Sequence, residues 1–537
     1  MKRQQQPSAP DKRLLAFLLA PDSYPHHPKR VRLVQTHASY VFFCSPYVYK
    51  IKKKVNFGFL DFSTLKKRRY YSRREVLLNR RLCADLYLGI VPISLTAGKL
   101  NFGKGDKVIE YAVKMRKLRD RYFMLRLLDR DQVTTEHLQR VVSRLRDFYQ
   151  AQVPRPEISA WGRIEKLKIS TNENFDQTKP FIGLTITKPA FQAIVSYTSA
   201  FYSRNAKLFA SRVREGWIRD CHGDLHLEHI HLAPGTLSIY DCIEFNDRFR
   251  YIDIASDVAF LAMDLDHHDR PDLSWQVAAR LAEALGDRAM PRLMDFYKCY
   301  RAYVRGKVES LRQARAEIPE AERAKIRLDA ERYFRLALRY AVCGSKPSAL
   351  IVMGGVGSGK STLAKALGNA LGLEVVSSDR VRKELAGVPL YQRGSRSVRR
   401  RLYGKVMTNK TYKALFRRAT SELGRHASLI LDATFSSRQH RKQLRQLLAS
   451  RGARYLFIEA WATEGVVKRR LKQREKAAQE NSDARLEDFE MLSRSYQPPS
   501  EIPPKHRLRI ATNRATAVTI ATSLKELIAR HLAETYQ

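Results

Sequence analysis

Residues 354–361, Gly-Gly-Val-Gly-Ser-Gly-Lys-Ser, have the types and the spacing of a phosphate-binding loop. Its glycines let the backbone curl so that amide hydrogens and the N-terminus of the next helix face a phosphate. Lys360 then reaches the β- and γ-phosphate oxygens, and the hydroxyl of Ser361 ligates magnesium. The sequence therefore predicts ATP and Mg²⁺ as cofactors. The predicted nucleotide-binding residues here are Gly354, Gly355, Val356, Gly357, Ser358, Gly359, Lys360, Ser361 and Thr362.

Two aspartates follow segments that are predicted to be later strands. Asp379 stands in Val-Val-Ser-Ser-Asp-Arg, and Asp432 stands in Leu-Ile-Leu-Asp-Ala-Thr-Phe. Ligands of open α/β sheets bind where the parallel strands end. Asp379 is therefore a candidate catalytic base for an attacking hydroxyl, and Asp432 a candidate to hold magnesium through water. The structural alternatives are a helix N-cap for Asp379 and a turn position for Asp432.

Arginines near this loop are candidates to clamp phosphate groups. They are Arg382, Arg470 and Arg474, the last two on one predicted helix. Residues 393–418 also contain ten Lys or Arg residues and no acidic residue. This stretch suits a phosphorylated or polymeric acceptor, and a solvated helix face explains it equally well.

The elements that must position these residues alternate between strand and helix. Around the loop, strands are predicted at 349–353, 374–377 and 429–431 and helices at 362–371 and from about 464, which is the pattern of a parallel α/β sheet. Upstream, strands are predicted at 31–33, 40–50, 91–95 and 108–115, and helices at 65–88, 137–150, 191–214 and as a pair over 291–342. After residue 231 a strand, a loop and a strand are predicted through Tyr240 and Phe245, so that Asp241 follows a strand.

Composition limits the class of protein. With 537 residues the chain is expected to form two domains, and no run of apolar residues is long enough for a membrane span or a signal peptide. Six scattered cysteines indicate reduced thiols, so we expect a cytoplasmic protein. The formal net charge of +44 would attract phosphorylated ligands, nucleic acid or anionic membrane surfaces, and a solvated basic surface is the alternative. The oligomeric state is left open.

The C-terminal segments resemble those of known P-loop proteins. Ser-Ser-Asp-Arg-Val-Arg at 377–382 and Asp-Ala-Thr-Phe at 432–435 are similar to AAA-family, gluconate-kinase-like, polynucleotide-kinase-like and zeta-toxin-like proteins. Many of these phosphorylate the hydroxyl of a metabolite or a polynucleotide. The resemblance implies that Asp379 binds or activates the acceptor hydroxyl and that a lid helix supplies Arg470 or Arg474.

The N-terminal half contains a second such segment. Residues 221–229, Cys-His-Gly-Asp-Leu-His-Leu-Glu-His, resemble the catalytic loop of aminoglycoside-phosphotransferase-like kinases, in which His-Gly-Asp is followed after four residues by Asn. The resemblance implies that Asp224 accepts the proton of the acceptor hydroxyl. His229 stands where the asparagine would bind metal, and magnesium prefers oxygen ligands. This departure places the activity of the N-terminal half in question.

The same resemblance implies further residues on both sides of that loop. Asp241, with Glu244 second, is the candidate for the magnesium aspartate. Glu75 would pair with a lysine that positions ATP phosphates. Lys50 and Lys52 both fit that lysine, because strand alternation places them on one face, and a surface charge is the alternative for Lys50.

Taken together, these segments resemble those of a bacterial group of two-domain proteins. Thr-His-Ala-Ser-Tyr-Val-Phe at 36–42 and Gly-Phe-Leu-Asp-Phe at 58–62 extend the similarity over nearly the whole chain. The expected fold class is α/β and α+β, with a two-lobed kinase-like domain before a P-loop nucleoside-triphosphatase domain with a parallel sheet. The expected boundaries are a polar segment 1–30, a kinase-like domain 31–343, a linker 344–348 and a P-loop domain 349–537.

The predicted function is ATP- and Mg²⁺-dependent phosphoryl transfer to a hydroxyl-bearing substrate of unknown identity. The C-terminal domain would carry the chemistry, and the N-terminal kinase-like domain would be active or regulatory. The alternative is an ATP-hydrolysing switch that binds nucleic acid or a protein partner and has a catalytically inactive N-terminal domain.

Overall fold

The computed structural model describes residues 11–315, 318–390, 396–476 and 486–534. Arg393, at the start of the predicted basic stretch, lies outside the described residues, as does the beginning of the segment 1–30. The chain forms two compact units, each built from separate stretches of sequence. The first comprises 1–168, 206–264 and 276–290, and the second comprises 169–205, 265–275 and 291–537. The boundaries 31–343 and 349–537 remain predictions.

The elements up to residue 343 are as follows. The strands are β1 (Arg32–Gln35), β2 (Ser39–Cys44), β3 (Tyr47–Lys52), β4 (Tyr87–Thr96), β5 (Lys99–Phe102), β6 (Lys107–Arg116), β7 (Ile218–Asp220), β8 (Ile230–Ala233), β9 (Thr236–Ile239) and β10 (Tyr251–Asp253). The helices are α1 (Lys12–Leu19), α2 (Leu65–Asn79), α3 (Met124–Asp129), α4 (Thr135–Ala151), α5 (Pro156–Ser159), α6 (Ile164–Thr178), α7 (Lys188–Arg204), α8 (Ala206–Arg214), α9 (Ile254–His267), α10 (Pro271–Leu285), α11 (Met290–Gln313) and α12 (Glu320–Cys343).

In the first unit an antiparallel sheet runs in the order β1-β2-β3-β6-β4-β5. Helix α2 packs against β4 and β6. Helix α1, within the segment predicted to be merely polar, places Leu18 in a core with Tyr24 and Phe42. Sheet and helix together bring the side chains of β3 and α2 close to each other.

Three predicted elements differ from the observed ones. The helix predicted over 65–88 ends at Asn79, and Leu77, one of its apolar positions, is 70% exposed. The helix predicted over 191–214 is interrupted at Asn205, which separates α7 from α8. The strand, loop and strand predicted through Tyr240 and Phe245 are β8 and β9, which end earlier, at Ile239, just before Asp241. In each case an apolar spacing continued in the sequence past the point where the backbone turns.

The second unit contains the phosphate loop and a parallel sheet. Its strands are β11 (Ser348–Met353), β12 (Glu374–Ser377), β13 (Leu429–Asp432), β14 (Arg454–Trp461) and β15 (Arg507–Ala511). Its further helices are α13 (Lys360–Leu371), α14 (Ser378–Ala386), α15 (Arg396–Leu402), α16 (Lys405–Gly424), α17 (Arg438–Ala449), α18 (Glu464–Lys476), α19 (Phe489–Ser495) and α20 (Thr516–Glu534). The strand order is β12-β13-β11-β14-β15, with every neighbouring pair parallel.

Strand β11 lies in the middle of this sheet and is buried along its whole length. Near-continuous apolar strands are expected where helices cover both faces of a parallel sheet. Because the strands are parallel, their carboxyl ends lie at one edge. That edge receives the phosphate loop from β11, Asp379 from beyond β12 and Asp432 from β13. Across the described residues no helix is both long and apolar enough to cross a membrane.

Candidate functional site

The phosphate loop has a backbone that only glycine permits at its closest contacts. Gly354 has φ +149°, and a Cβ there would lie 2.3 Å from the carbonyl oxygen of Ala460. A Cβ on Gly357, at φ +69°, would lie 2.7 Å from a methyl carbon of Val467. Larger side chains would push the loop away from β14 and α18. Gly359 follows in a left-handed conformation, and α13 begins at Lys360.

Two residues outside the motif support the loop. The hydroxyl of Thr512, just after β15, donates to the carbonyl oxygen of Ser358 at 2.6 Å. The guanidinium of Arg470 on α18 donates to the Thr512 hydroxyl oxygen at 3.0 Å and to the carbonyl oxygen of Gly357 at 3.4 Å. Burial, together with Arg469 and Arg474, lowers the pKa of Arg470. Arg470, predicted as a phosphate clamp, therefore also braces the loop backbone, and Thr512 was missed because no motif marks it.

A cavity of about 400 Å³ opens beside this loop. That volume is within the range of small-molecule sites. Its lining combines the predicted Thr362, Arg470 and Arg474 with residues that sequence reasoning missed, among them Arg514, Thr519 and Ile520. The missed residues come from the segment after β15 and from α20. Their only signal in the sequence was their place after the last strand, which had not been predicted.

Asp432 lies at the carboxyl end of β13, directly beside β11. Its Oδ1 is buried and has no hydrogen-bond partner. Burial raises the pKa of Asp432, and the negative charge of Asp379 adds to that rise. The charge of Lys360 and the hydrogen bonds from Ser361 and Ser377 oppose it. The structure thus brings Lys360, Ser361, Asp379 and Asp432 together. A buried carboxylate oxygen without a partner beside a hydroxyl suits a hard cation, so these residues fit Mg²⁺.

Asp379 lies in the first turn of α14, and Ser377 occupies the N-cap position. Its Oδ1 accepts a hydrogen bond of 2.7 Å from Arg382, whose guanidinium stacks over the ring of Tyr403 at 4.5 Å. The N-cap alternative for Asp379 is therefore not what the structure shows. Arg382, predicted as a phosphate clamp, is instead bonded to the carboxylate of the candidate base.

In the first unit the predicted lysines and acids form a cluster, which we call the lysine–carboxylate cluster: Lys50, Lys52, Glu75, Asp241 and Glu244. Lys50 Nζ lies 2.9 Å from Glu75 Oε1 and 2.7 Å from Asp241 Oδ1. Lys52 Nζ lies 2.7 Å from Glu75 Oε2 and also pairs with Glu244. Both lysines therefore contact Glu75, while Lys50 also pairs with Asp241 and Lys52 with Glu244.

Burial and charge act in opposite directions in this cluster. Burial alone would raise the pKa of Asp241, but the charge and hydrogen bond of Lys50 lower it, and that pKa lies well below its usual range. Burial likewise would raise the pKa of Glu75, and the two lysines lower it. Asp241 is also held at φ +62°, a left-handed conformation that is uncommon outside glycine and concentrates at functional sites.

The loop at 222–229 is braced by aspartates of α9. Asp257 accepts the backbone N–H groups of His222 and Gly223, both at 2.9 Å, and Asp264 accepts that of Leu227 at 2.9 Å. Because the loop backbone is bonded to a helix at both ends, its side chains are held in fixed directions. Asp224, the predicted catalytic base, projects from the middle of this braced loop.

Two imidazoles surround Asp224. His226 Nε2 lies 3.5 Å from Asp224 Oδ2, and His229 Nδ1 lies 3.6 Å from the same oxygen. On its other side His229 Nε2 lies 3.5 Å from Asp241 Oδ2. His226 was missed by the sequence analysis. The structure brings His229 and Asp241, the predicted metal ligands, together with Asp224, the predicted catalytic base. A nitrogen donor between two carboxylates does not fit Mg²⁺ as well as an all-oxygen set would.

Comparison with known proteins adds three findings. Residues 350–499 match the AAA domain family. This range contains the phosphate loop, Asp379 and Asp432, and with the parallel sheet it makes the C-terminal part a P-loop, kinase-like nucleotide-binding domain.

Among solved structures, a gluconokinase from Sinorhizobium meliloti is 18% identical and covers 35% of this chain and 96% of its own, with a TM-score of 0.26. The APS kinase CysC of Mycobacterium tuberculosis is 19% identical and covers 35% of this chain and 98% of its own, with a TM-score of 0.24. A shikimate kinase from Acinetobacter baumannii is 17% identical and covers 35% of this chain and 94% of its own, with a TM-score of 0.25.

Two relatives are similar to this chain over most of their length, so the similarity includes both halves. The uncharacterized proteins Rv2004c of Mycobacterium tuberculosis and Mb2027c of Mycobacterium bovis are each 32% identical over 453 residues. The match covers 84% of this chain and 87% of each relative. The chain therefore belongs to the same family as these mycobacterial proteins.

Proposed function

We propose that the protein is an ATP- and Mg²⁺-dependent phosphotransferase whose C-terminal domain transfers the γ-phosphate to a hydroxyl of a small molecule, nucleotide or polynucleotide. The observation that carries the proposal is the meeting of Lys360, Ser361, Asp432 and Asp379 at one edge of the sheet. A phosphate loop with one acidic residue would serve an ATPase equally well. Asp379 adds a second carboxylate, which can accept the proton of an attacking hydroxyl.

Each of these residues would have a distinct role in the transfer. Lys360 would bind the β- and γ-phosphate oxygens, and Ser361 and Asp432 would hold the metal. Bound Mg²⁺ supplies neutralisation of the charge that develops on the phosphates. Asp379 would take the hydroxyl proton, and Arg382 would fix the direction of that carboxylate. The reaction then depends mainly on positioning and electrostatics.

The acceptor proposed here is anionic or phosphorylated. Beyond Tyr403, which neighbours Asp379, helix α16 exposes Lys405 and Lys410, and Arg401 is exposed on α15. These exposed cations lie on helices that pack against α14, the helix of the candidate base. They would attract such an acceptor, and a nucleic-acid end is one member of that class. The net charge of +44 is in keeping with this choice.

We also propose that the first unit is a kinase-like domain, either active or regulatory. The ion pairs of Lys50 with Glu75 and Asp241 support it, because a strand lysine paired with a helix glutamate positions nucleotide phosphates in kinases. The bracing of the Asp224 loop by Asp257 supports it as well.

The test is transfer of label from γ-labelled ATP. The purified full chain is incubated with magnesium, a metabolite extract and 5′-hydroxyl oligonucleotides, and the labelled products are separated. Label on a small molecule or an oligonucleotide end is expected. Release of label only as free phosphate would overturn the transferase proposal and favour an ATP-hydrolysing switch.

The Asp379→Asn variant tests the role of the candidate base. Transfer is expected to fall by about 100-fold or more, the range of general base catalysis, while ATP affinity changes little. Glu384→Gln is the matched control, since Glu384 is exposed on the same helix. Equal transfer rates in Asp379→Asn and Glu384→Gln would contradict this assignment.

A further inference from the structure

His229 has a defined tautomer. Its Nδ1 lies 2.9 Å from the backbone carbonyl oxygen of Asp224. A carbonyl oxygen only accepts hydrogen bonds, so Nδ1 carries the hydrogen and Nε2 of the neutral ring presents a lone pair. This is the arrangement that orients a metal-ligating histidine, whose second nitrogen donates to a backbone carbonyl.

The lone pair of His229 Nε2 faces a carboxylate. Asp241 Oδ2 lies 3.5 Å away, while the other oxygen of Asp241 accepts from Lys50 at 2.7 Å. Two electron-rich atoms at this separation gain nothing from each other directly. Two donors that share one cation at about 2.0–2.2 Å are separated by roughly 3 to 3.5 Å. The observed spacing is therefore that of two ligands of a single metal ion.

The excess of negative charge around this position also favours a bound cation. Three carboxylates, those of Glu75, Asp241 and Glu244, face two ammonium groups, those of Lys50 and Lys52. Among these residues one negative charge is left uncompensated when all are ionised, and the Asp224 carboxylate adds another beside His229. Asp224 is 34% exposed and Asp241 is 36% exposed, so an ion can enter from solvent.

We propose that His229 Nε2 and Asp241 Oδ2 bind a divalent transition-metal cation, in preference to Mg²⁺. An imidazole nitrogen favours metals such as Co²⁺, Ni²⁺ or Zn²⁺, whereas Mg²⁺ takes oxygen ligands and gives up water reluctantly. Asp224 is not counted as a ligand, because its carboxylate lies 3.6 Å from Nδ1, the nitrogen of His229 that carries the hydrogen. This site is separate from the Mg²⁺ site proposed at Ser361 and Asp432, and its test does not depend on phosphotransfer.

The experiment is a titration of the full chain with Co²⁺, without nucleotide, followed by visible absorption. Every protein carries Ser361→Ala, so that the C-terminal site does not contribute. One equivalent of Co²⁺ is expected to bind with an absorption band of mixed nitrogen and oxygen ligation, and millimolar Mg²⁺ is expected not to displace it. Absence of binding, or displacement by Mg²⁺, would overturn the proposal.

Two ligand variants locate the metal. His229→Asn and Asp241→Asn are each expected to weaken Co²⁺ binding by at least about tenfold, and asparagine tolerates the left-handed backbone at 241. Using both variants keeps the test decisive if one fails to fold. His231→Asn is the matched control, because His231 is buried nearby and bonds to the carbonyl of Arg119. His229→Asn is also expected to raise the affinity for Mg²⁺.

An alternative ligand set is tested at the same time. Ligand atoms of Asp224, His226 and His229 lie within 4.8 Å of one another. If the metal used these three, His226→Asn would weaken Co²⁺ binding as much as His229→Asn, and Asp241→Asn would not. That result would overturn the assignment to Asp241, whereas an unchanged affinity in His226→Asn supports it.

Discussion

Lys360 lies where the phosphate loop becomes α13, close enough to Asp432 to oppose the rise in its pKa that burial causes. Lys360→Ala removes a charged donor to the β- and γ-phosphates, and such hydrogen bonds contribute about 1.5–3 kcal/mol. ATP affinity of the C-terminal site is therefore expected to fall at least about tenfold, measured by calorimetric titration of the full chain.

The matched control is Lys365→Ala, which removes the same side chain from an exposed position of the same helix. It is expected to bind ATP like the unmodified chain. If both variants lost affinity equally, the cause would be the charge of α13 as a whole, and the specific role of Lys360 would be refuted.

Thr512 joins the loop to the last strand through one hydroxyl, which donates to Ser358 and accepts from Arg470. Thr512→Val keeps the shape of the side chain but removes the hydroxyl. The Ser358 carbonyl oxygen and the Arg470 guanidinium then lack that hydrogen-bond partner. We expect a local stability loss of about 1–3 kcal/mol and a several-fold weaker ATP affinity, since the loop is less ordered before binding. Hydrogen exchange of the loop amides measures the first effect. Thr522→Val, at an exposed helical hydroxyl, should change neither.

At the scale of elements, a buried arginine of α17 links this helix to the segment after β13 and to Glu501. The Arg441 guanidinium donates to the carbonyl oxygen of Phe435 at 2.7 Å and pairs with Glu501 at 2.6 Å. Removing one partner of a buried ion pair costs about 3–5 kcal/mol. Arg441→Met is expected to destabilise the segment after β13 by that amount, measured by hydrogen exchange of β13. Lys442→Met, at the exposed neighbour, serves as the control.

The same pair predicts a dependence on pH. Burial would raise the pKa of Glu501, but the hydrogen bond and charge of Arg441 lower it below its usual value of about 4.3. Stability from a carboxylate with a lowered folded pKa is present above the unfolded pKa and is lost as pH falls through the folded one. The difference in stability between the unmodified chain and Arg441→Met should therefore shrink below about pH 4. A constant difference would exclude the ion pair as its cause.

Local signals explain which elements the sequence predicted. The strand, loop and helix around 354–361 were found because glycine spacing and apolar runs are adjacent in the chain, and the strands at 374–377 and 429–431 were found by apolar runs. Strands β14 and β15 were not predicted, so the supporting Thr512 was missed. The pairing of His226 with Asp224 was missed because it depends on a loop conformation set by Asp257 and Asp264.

At the scale of the whole molecule, the compact units do not follow the order of the chain. Helices α7 and α12 belong to the same unit as the phosphate loop and pack against α20. The ring of Tyr197 on α7 stacks on His531 of α20, and Arg454 donates to the carbonyl oxygen of Cys343 at the end of α12. No sequence motif marks such packing, because it depends on contacts between residues more than 100 positions apart.

This packing leads to a prediction about a fragment. A chain of residues 345–537 keeps the phosphate loop, the parallel sheet and α20 but lacks α7 and α12. Leu524 and Leu527 of α20 are buried in the full chain, and burial of a leucine contributes about 1.5–3 kcal/mol. The fragment lacks α7 and α12, so it loses the part of this burial that those two helices provide. The amides of α20 are therefore expected to exchange their hydrogens faster in the fragment than in the full chain. The amides of β11 are expected to be protected from exchange to a similar degree in both.

A second fragment, residues 320–537, restores α12 and should give intermediate protection of α20. This graded outcome separates lost packing from general misfolding, because a misfolded fragment would also lose protection in β11. Equal protection of α20 in the full chain and in 345–537 would mean that the C-terminal domain folds without the upstream helices. The predicted linker at 344–348 would then mark a true domain boundary, and the association of α7 and α12 with that unit would be only peripheral to its stability.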